Sequence, residues 1–118
     1  HGSFLEETVK NVIKNYPHST YTLTVTPQYR NMKQVLDKHP EIVKYGIEAI
    51  ERAGVVAKQQ SIRGGTDGSR LSYMGLPCPN IFAGEHAFHS KQEWVSIQDM
   101  EKAVQTIINI AIIWEEKN

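Results

Sequence analysis

Residues 62–68 read Ile-Arg-Gly-Gly-Thr-Asp-Gly, and residues 71–80 read Leu-Ser-Tyr-Met-Gly-Leu-Pro-Cys-Pro-Asn. The first run is a tight polar loop, and the second is a short apolar segment interrupted by Gly75 and Pro77. A glycine-rich loop before a helix exposes backbone N–H groups, which suit a carboxylate or a developing oxyanion. A plain glycine turn in which Asp67 caps the helix explains the same residues. Both interpretations stay open, because the loop fits neither the phosphate-binding nor the dinucleotide-binding pattern.

A second polar cluster, at residues 84–89, reads Gly-Glu-His-Ala-Phe-His and carries two imidazoles. His86 and His89 are three positions apart, which is close to the spacing of metal ligands. Zinc requires three or four protein ligands, so these two side chains would need a further donor, and Glu85, Glu93 and Asp67 are the possible ones. Solvated or hydrogen-bonded histidines are therefore the alternative interpretation of this cluster.

The composition argues against several classes of protein. The chain has 118 residues, 40% of them hydrophobic and 22% charged, and 13 Lys and Arg residues balance 13 Asp and Glu residues. Nucleic-acid binders and membrane-surface binders usually carry a basic excess, so neither is expected. No apolar run approaches the roughly 20 residues of a membrane-spanning helix. The lone cysteine, Cys78, cannot form an internal disulfide, so we expect a cytoplasmic protein.

Hydrophobic periodicity and end signals predict the helices. The first covers residues 3–15 with a Ser3–Glu6 capping box, and a short one runs from Asn31 to Asp37. Two more helices are predicted from Pro40 to a C-terminal cap at Gly54, and over residues 67–74. A last helix begins at a capping signature, Ser96 and Asp99. Its predicted apolar face consists of Ile97, Met100, Val104, Ile107, Ile108, Ala111 and Ile112.

Strands are predicted between these helices, over residues 20–26, 55–59 and 80–83. The first alternates apolar residues with threonines, which is typical of a half-buried strand. The order of elements favours a layered α/β fold whose later strands are parallel. Both polar loops follow a predicted strand, so they are expected on one rim of the sheet, where ligands bind.

Four stretches together resemble the dizinc M20 family of metallopeptidases, and within it the tripeptide aminopeptidases. These are residues 62–68, residues 71–80, Phe-His-Ser-Lys at 88–91 with Glu93, and Met-Glu-Lys-Ala-Val at 100–104. The resemblance implies an α/β catalytic domain with a smaller inserted lid domain. Residues 1–30 resemble the last helix and strand of the lid. Residues 31–118 resemble the C-terminal part of the catalytic domain.

The resemblance also implies two zinc ions, small-peptide substrates and particular site residues. His89, which follows Phe88, matches a zinc ligand of the family, whereas His86 matches no ligand position. Four further residues match a loop that lies beside the substrate in this family, where they would shape the site and hold polar groups of the peptide. They are Arg63, Gly65, Thr66 and Asp67.

The other catalytic groups of the family do not occur here. The sequence contains no His-x-Asp, and its Glu-Glu pairs, at 6–7 and 115–116, stand in the wrong places for the general base. The chain also lacks an initial Met, and residues 1–3 are typical of a tag remnant. We therefore expect a C-terminal fragment that has no catalytic residue of its own, binds zinc weakly or not at all and is inactive alone. The parent enzyme is expected to release the N-terminal residue of tripeptides by metal-activated water attack.

Other interpretations stay open beside this one. Another M20 hydrolase, such as a dipeptidase, carboxypeptidase or deacylase, shares the family resemblance. A free-standing α/β module could bind a carboxylate ligand at the glycine loop. The alternating strand at residues 20–26 offers an open edge that could pair with a second copy, and the resemblance allows a homodimer through the lid.

Overall fold

The computed structural model describes residues 2–26, 29–62 and 64–117. These residues form a helix-rich α/β arrangement, which confirms the predicted fold class in outline. The elements in chain order are α1 (Gly2–Ile13), α2 (Lys33–Leu36), α3 (Pro40–Arg52), α4 (Asp67–Tyr73), β1 (Glu85–His86), β2 (Trp94–Val95) and α5 (Ile97–Lys117).

The starts of three helices test the predicted end signals. Because α1 begins at Gly2, Ser3 lies inside its first turn and the predicted capping box is wrong. Asn31 precedes α2, as predicted, and its Oδ1 accepts a hydrogen bond from the backbone N–H of Lys33, the first helical residue, at 2.9 Å. Ser96 does cap α5, because its Oγ accepts the backbone N–H of Asp99 at 3.0 Å.

The helix α3 begins and ends as its sequence predicts. Pro40 is its first residue, where the missing N–H costs no intrahelical hydrogen bond. The chain leaves the helix at Gly54, whose φ of +76° favours glycine. There the N–H of Gly54 bonds to the carbonyl of Glu51 and that of Val55 to the carbonyl of Ile50. These two bonds satisfy carbonyls that a helix end otherwise leaves unpaired.

The small core lies between α3 and α5. Ala49 of α3 and Ala53, the residue that follows this helix, are buried, and so are Thr106 and Ile113 of α5. The two alanines let the helix backbones approach, so side chains of α5 reach carbonyls of α3. Lys102 Nζ donates to the carbonyl of Ala53 at 2.7 Å, at the C-terminal end of α3 where a cation is favoured.

An ion-pair cluster joins the C-terminal ends of α3 and α5. Arg52 Nη2 lies 2.8 Å from Glu48 Oε1 and 2.7 Å from Glu116 Oε2, and Lys117 pairs with Glu48. The hydrogen bond from Lys117 is the main cause that lowers the pKa of Glu48. The hydrogen bond from Arg52 likewise lowers the pKa of Glu116.

The predicted strands are the main departure from expectation. Residues 20–26, 55–59 and 80–83 belong to no ladder in the described part of the chain. The ladder formed there is antiparallel and joins β1 to β2, so the prediction of parallel later strands is wrong for these residues. Alternating apolar residues predict an extended backbone, but a strand also needs a neighbouring strand to receive its hydrogen bonds.

The apolar stripe predicted on α5 also differs from expectation. It does not face α3, and most of its large side chains are exposed, including Val104, Ile107 and Ile108. The Cα radius of gyration is 20.7 Å, whereas a compact domain of this length has about 13–14 Å. Among the described residues, no helix is long and apolar enough to span a membrane.

Candidate functional site

The glycine loop ends at the first residues of α4, and Thr66 caps this helix. Thr66 Oγ1 accepts the backbone N–H of Ser69 at 3.2 Å and the Nδ2 group of Asn80 at 3.0 Å. Asp67 is the first helical residue, where the helix dipole favours a carboxylate. The alternative in which Asp67 is the cap is therefore wrong, because the threonine hydroxyl takes that role.

Gly68 allows α4 to lie very close to the segment that follows it. A Cβ at this position would lie 2.6 Å from the carbonyl oxygen of Cys78 and 2.7 Å from Asn80 Oδ1. The buried hydroxyl of Ser72 donates to the carbonyl of Gly68 at 2.7 Å and accepts the N–H of Cys78 at 3.0 Å. One serine thus joins the first turn of α4 to the residues beyond the helix.

The other side of α4 is attached to the segment before α2. Ser69 Oγ donates to the carbonyl of Arg30, and Tyr73 Oη donates to the carbonyl of Asn31 at 2.9 Å. The guanidinium of Arg30 lies 5.5 Å from the centroid of the Tyr73 ring, within cation–π distance. The segment before α2 and the segment after α4 therefore both hold α4, and with it the glycine loop, in position.

The structure describes three of the four residues predicted on the substrate side. Gly65, Thr66 and Asp67 are consecutive at the beginning of α4, and Gly65 and Asp67 are exposed. Gly65 packs against Tyr29, whose ring a Cβ at position 65 would overlap. Arg63 lies outside the described residues.

The second polar cluster forms a hairpin. In its ladder Glu85 pairs with Val95 and His86 with Trp94. His89 lies in the connecting loop with a φ of 60°, an uncommon value for a residue with a side chain. Its backbone N–H donates to Glu93 Oε2 at 2.8 Å, so the carboxylate of Glu93 supports this conformation.

The two histidines of the hairpin have different surroundings. The His86 ring stacks on Trp94 with centroids 4.2 Å apart, and its Nε2 lies 3.9 Å from Asp99 Oδ2. The His89 side chain is exposed beside Phe88, with ring centroids 6.5 Å apart. His86 is thus tied to the beginning of α5, whereas His89 presents its imidazole to solvent.

The fit of these residues to a metal ion can be tested from the structure. Across residues 2–26, 29–62 and 64–117, no group of three His, Cys, Asp or Glu side chains could hold a metal. An exposed imidazole such as that of His89 can serve as one donor, whereas zinc takes three or four protein ligands in all. The described residues therefore hold no complete set of zinc ligands.

Three residues support the predicted site in roles that were not predicted from the sequence, although Glu93 was named there as part of a motif. Asn80 and Ser72 attach the loop to the segment after α4, and Glu93 supports His89. The sequence around Asn80 and Ser72 does not indicate these roles, because their hydrogen-bond partners, Thr66 and Cys78, lie several positions away in the chain. The expected position of both loops on one rim stays a prediction.

Comparisons with known proteins place the chain in a family. The pattern that describes "Peptidase family M20/M25/M40" matches residues 2–112. The chain therefore belongs to this peptidase family, as the sequence resemblance predicted.

Several similar proteins carry the name peptidase T. The chain is 44% identical to peptidase T of Caldanaerobacter subterraneus subsp. tengcongensis over 114 residues, which are 97% of this chain and 28% of the relative. It is 45% identical to a peptidase T of Clostridium perfringens over 111 residues, or 94% of this chain and 27% of the relative. It is 48% identical to that of Aeromonas salmonicida over 104 residues, or 88% of this chain and 26% of the relative. The chain thus spans little more than a quarter of the length of these relatives.

Proposed function

We propose that this chain supplies one metal ligand and a substrate-side loop to a tripeptide aminopeptidase similar to peptidase T. The observation that carries the proposal is the 44–48% identity to proteins of that name over most of the chain. This identity favours a peptidase T-like activity over a dipeptidase, carboxypeptidase or deacylase of the same family.

The loop at the beginning of α4 is proposed to bind the polar groups of the peptide. Thr66 Oγ1 acts as acceptor in both of its hydrogen bonds, so its own proton can be donated to a peptide carbonyl. Asp67 presents an exposed carboxylate that suits an N–H donor or the free amino group of the peptide. Gly65 keeps the backbone accessible, and Arg63 would add a cation for the peptide carboxylate.

His89 is proposed to be a zinc ligand, one of the set that would hold two zinc ions in the whole enzyme. Bound zinc supplies Lewis-acid polarisation of the scissile carbonyl. Glu93 acts as a positioning residue, because its carboxylate accepts the backbone N–H of His89. No residue of this chain is proposed as the general base, so the isolated chain is expected to be inactive.

A chimera tests this proposal directly. The matched 111 residues of the Clostridium perfringens peptidase T are replaced by the corresponding part of this chain, and tripeptide hydrolysis is measured with added zinc. We expect activity in the chimera and none in the isolated chain. His89→Ala should lower kcat by about a hundredfold or more, since loss of a ligand disturbs the metal directly.

The matched control is His86→Gln in the same hairpin, which should leave kcat within a few-fold. Comparable turnover by the isolated chain, or full activity of the His89→Ala chimera, would contradict the proposal.

Three further expectations stay predictions. These are the boundary between a lid at residues 1–30 and a catalytic part at residues 31–118, a homodimer through the lid, and a cytoplasmic location. Pro27 and Gln28, beside the expected boundary, lie outside the described residues.

A further inference from the structure

Three consecutive residues before α2, at positions 29–31, contact α4 and the glycine loop in front of it. The contacts are the Tyr29 ring with Gly65, the Arg30 carbonyl with Ser69 Oγ, and the Asn31 carbonyl with Tyr73 Oη. Ser69 and Tyr73 are four positions apart, which places them on the same side of the helix. Residues 29–31, which we call the anchoring segment, therefore follow α4 from the glycine loop to the last helical residue.

The contact between Tyr29 and Gly65 requires a glycine for a reason other than backbone conformation. The three atoms nearest to a Cβ at position 65 would all be carbons of the Tyr29 ring, and the Cβ would overlap them. Gly65 is not among the described glycines with a positive φ, so an L-residue could adopt its backbone angles. The space for a side chain at position 65 is therefore taken by the aromatic ring.

The two attachments of the glycine loop act on different residues. The segment after α4 reaches Thr66 through the amide of Asn80 and reaches Ser72 through the backbone N–H of Cys78. The nearest neighbour of Gly65, in contrast, is Tyr29 of the anchoring segment. Removal of the tyrosine ring should therefore free Gly65 while the cap and the body of α4 keep their hydrogen bonds.

The position of Gly65 matters because Thr66 and Asp67 follow it directly. Tyr29 itself stays 53% exposed, so its ring rests on the loop at the surface and is not enclosed in a core. A shift of about 1 Å in a group that positions a substrate is enough to weaken its contribution strongly. The anchoring segment thus acts on the same residues that are proposed to hold the polar groups of the peptide.

We propose that Tyr29 is a positioning residue for peptide binding, whose ring fixes Gly65 and thereby places Thr66 and Asp67. The inference rests on the proposed function, because it assigns a role in binding the same peptide. Loss of the ring disturbs contacts to the bound peptide and not a group that reacts, so KM should rise while kcat stays nearly constant. A role confined to the stability of the fold would lower the amount of active protein without raising KM.

Steady-state tripeptide hydrolysis by the chimera with the Clostridium perfringens peptidase T tests this role. Tyr29→Ala should raise KM by about tenfold and change kcat by less than about twofold. Tyr29→Phe keeps the ring and should retain the KM of the parent chimera. The matched control is Tyr16→Ala, at an exposed tyrosine that follows α1, which should change neither constant.

Gly65→Ala is a second variant that keeps Tyr29 in place. Its methyl group would overlap the ring, so KM should again rise by about tenfold. Introduced into the Tyr29→Ala chimera, the same substitution should change KM by less than about threefold, because the ring that it would meet is absent. This difference between the two backgrounds is specific to the contact between the two residues.

Amide hydrogen exchange of residues 64–69 in the isolated chain measures the same contact without turnover. Tyr29→Ala should accelerate exchange there by about tenfold, and Tyr29→Phe should not. Unchanged exchange in Tyr29→Ala, or equal effects of Gly65→Ala with and without Tyr29, would overturn the inference. An unchanged KM in an active Tyr29→Ala chimera would overturn it and leave the proposed function intact. A parent chimera without tripeptide hydrolysis would instead contradict the proposed function, and the role of Tyr29 in peptide binding with it.

Discussion

The side-chain amide of Asn109 in α5 donates a hydrogen bond to the backbone carbonyl of Ala49 in α3, with an N···O distance of 3.1 Å. Both residues are buried, and Gln105 Nε2 donates to Asn109 Oδ1 at 3.1 Å. A polar residue inside an otherwise apolar run is therefore the point where the two helices meet. It also sets the face that α5 turns toward α3.

Replacement of Asn109 should weaken the helix pair to an extent that depends on the new side chain. Asn109→Asp would place a buried carboxylate against the carbonyl of Ala49, so we expect a loss of about 2–3 kcal/mol in unfolding free energy. Asn109→Leu removes both hydrogen bonds of the amide but buries no charge, so the loss should be smaller, about 1 kcal/mol. Urea denaturation followed by circular dichroism measures both. Equal stability of the two variants would contradict the role assigned to this hydrogen bond.

The ion pairs at the ends of α3 and α5 should make their association sensitive to acid. The pKa values of Glu48 and Glu116 are lower in the folded chain than the ordinary value of 4.5, so the folded state binds fewer protons. Their stabilisation is therefore fully present above about pH 4.5 and is lost as the pH falls through the lowered values. Thermal unfolding between pH 3 and pH 7 should show this loss.

A double variant, Glu48→Gln with Glu116→Gln, tests the source of that acid sensitivity. It should be less stable than the parent chain at pH 7 and should lose less stability on acidification. Glu51→Gln on α3, outside the cluster, is the control and should keep the parent profile. Since the cluster is solvent-exposed, high salt should also reduce the difference between parent and double variant.

Two helical glycines should respond in opposite directions to alanine. Gly68→Ala adds a Cβ within 2.7 Å of Cys78 and Asn80 oxygens, so we expect a loss of about 1–3 kcal/mol. Gly46→Ala in α3 meets no atom within 4 Å, so the better helix propensity should add about 0.5–1 kcal/mol. Thermal melts of both variants check the pair. Stabilisation by Gly68→Ala would show that α4 does not lie against residues 78–80.

The cap of α4 gives a test of the candidate substrate loop without catalysis. Thr66→Ala removes the acceptor for Ser69 and Asn80, so it should cost about 1 kcal/mol and speed amide hydrogen exchange in the first turn. Thr66→Ser keeps the hydroxyl and should retain most of the protection. Hydrogen exchange at Ser69 measures the effect. Loss of protection in both variants would mean that the methyl group, and not the hydroxyl, holds the loop.

Local signals predicted the helix ends well where the interaction lies within a few residues. Gly54 and the pair Ser96–Asp99 act through hydrogen bonds within their own turn, and Pro40 occupies the first helical position, where no N–H is needed. The Ser3–Glu6 signal failed because the helix begins one residue earlier, at Gly2. One interpretation of the glycine loop named Asp67 as the cap of α4, whereas Thr66 has this role; both residue types are good caps, and only the backbone angles distinguish them.

The amino-acid sequence by itself determined the family, the helices with strong end signals and the candidate residues His89, Gly65, Thr66 and Asp67. The helices follow from local periodicity, and the family and the candidate residues follow from the resemblance of short motifs. Neither needs knowledge of distant neighbours. The tertiary structure alone decided which face of α5 meets α3, which partners hold Thr66 and His89, and which extended segments pair. Packing partners and ladder neighbours are far apart in the chain, so no local pattern specifies them. The apolar stripe predicted on α5 shows this difference, because its periodicity predicts an apolar face but not whether that face packs against α3.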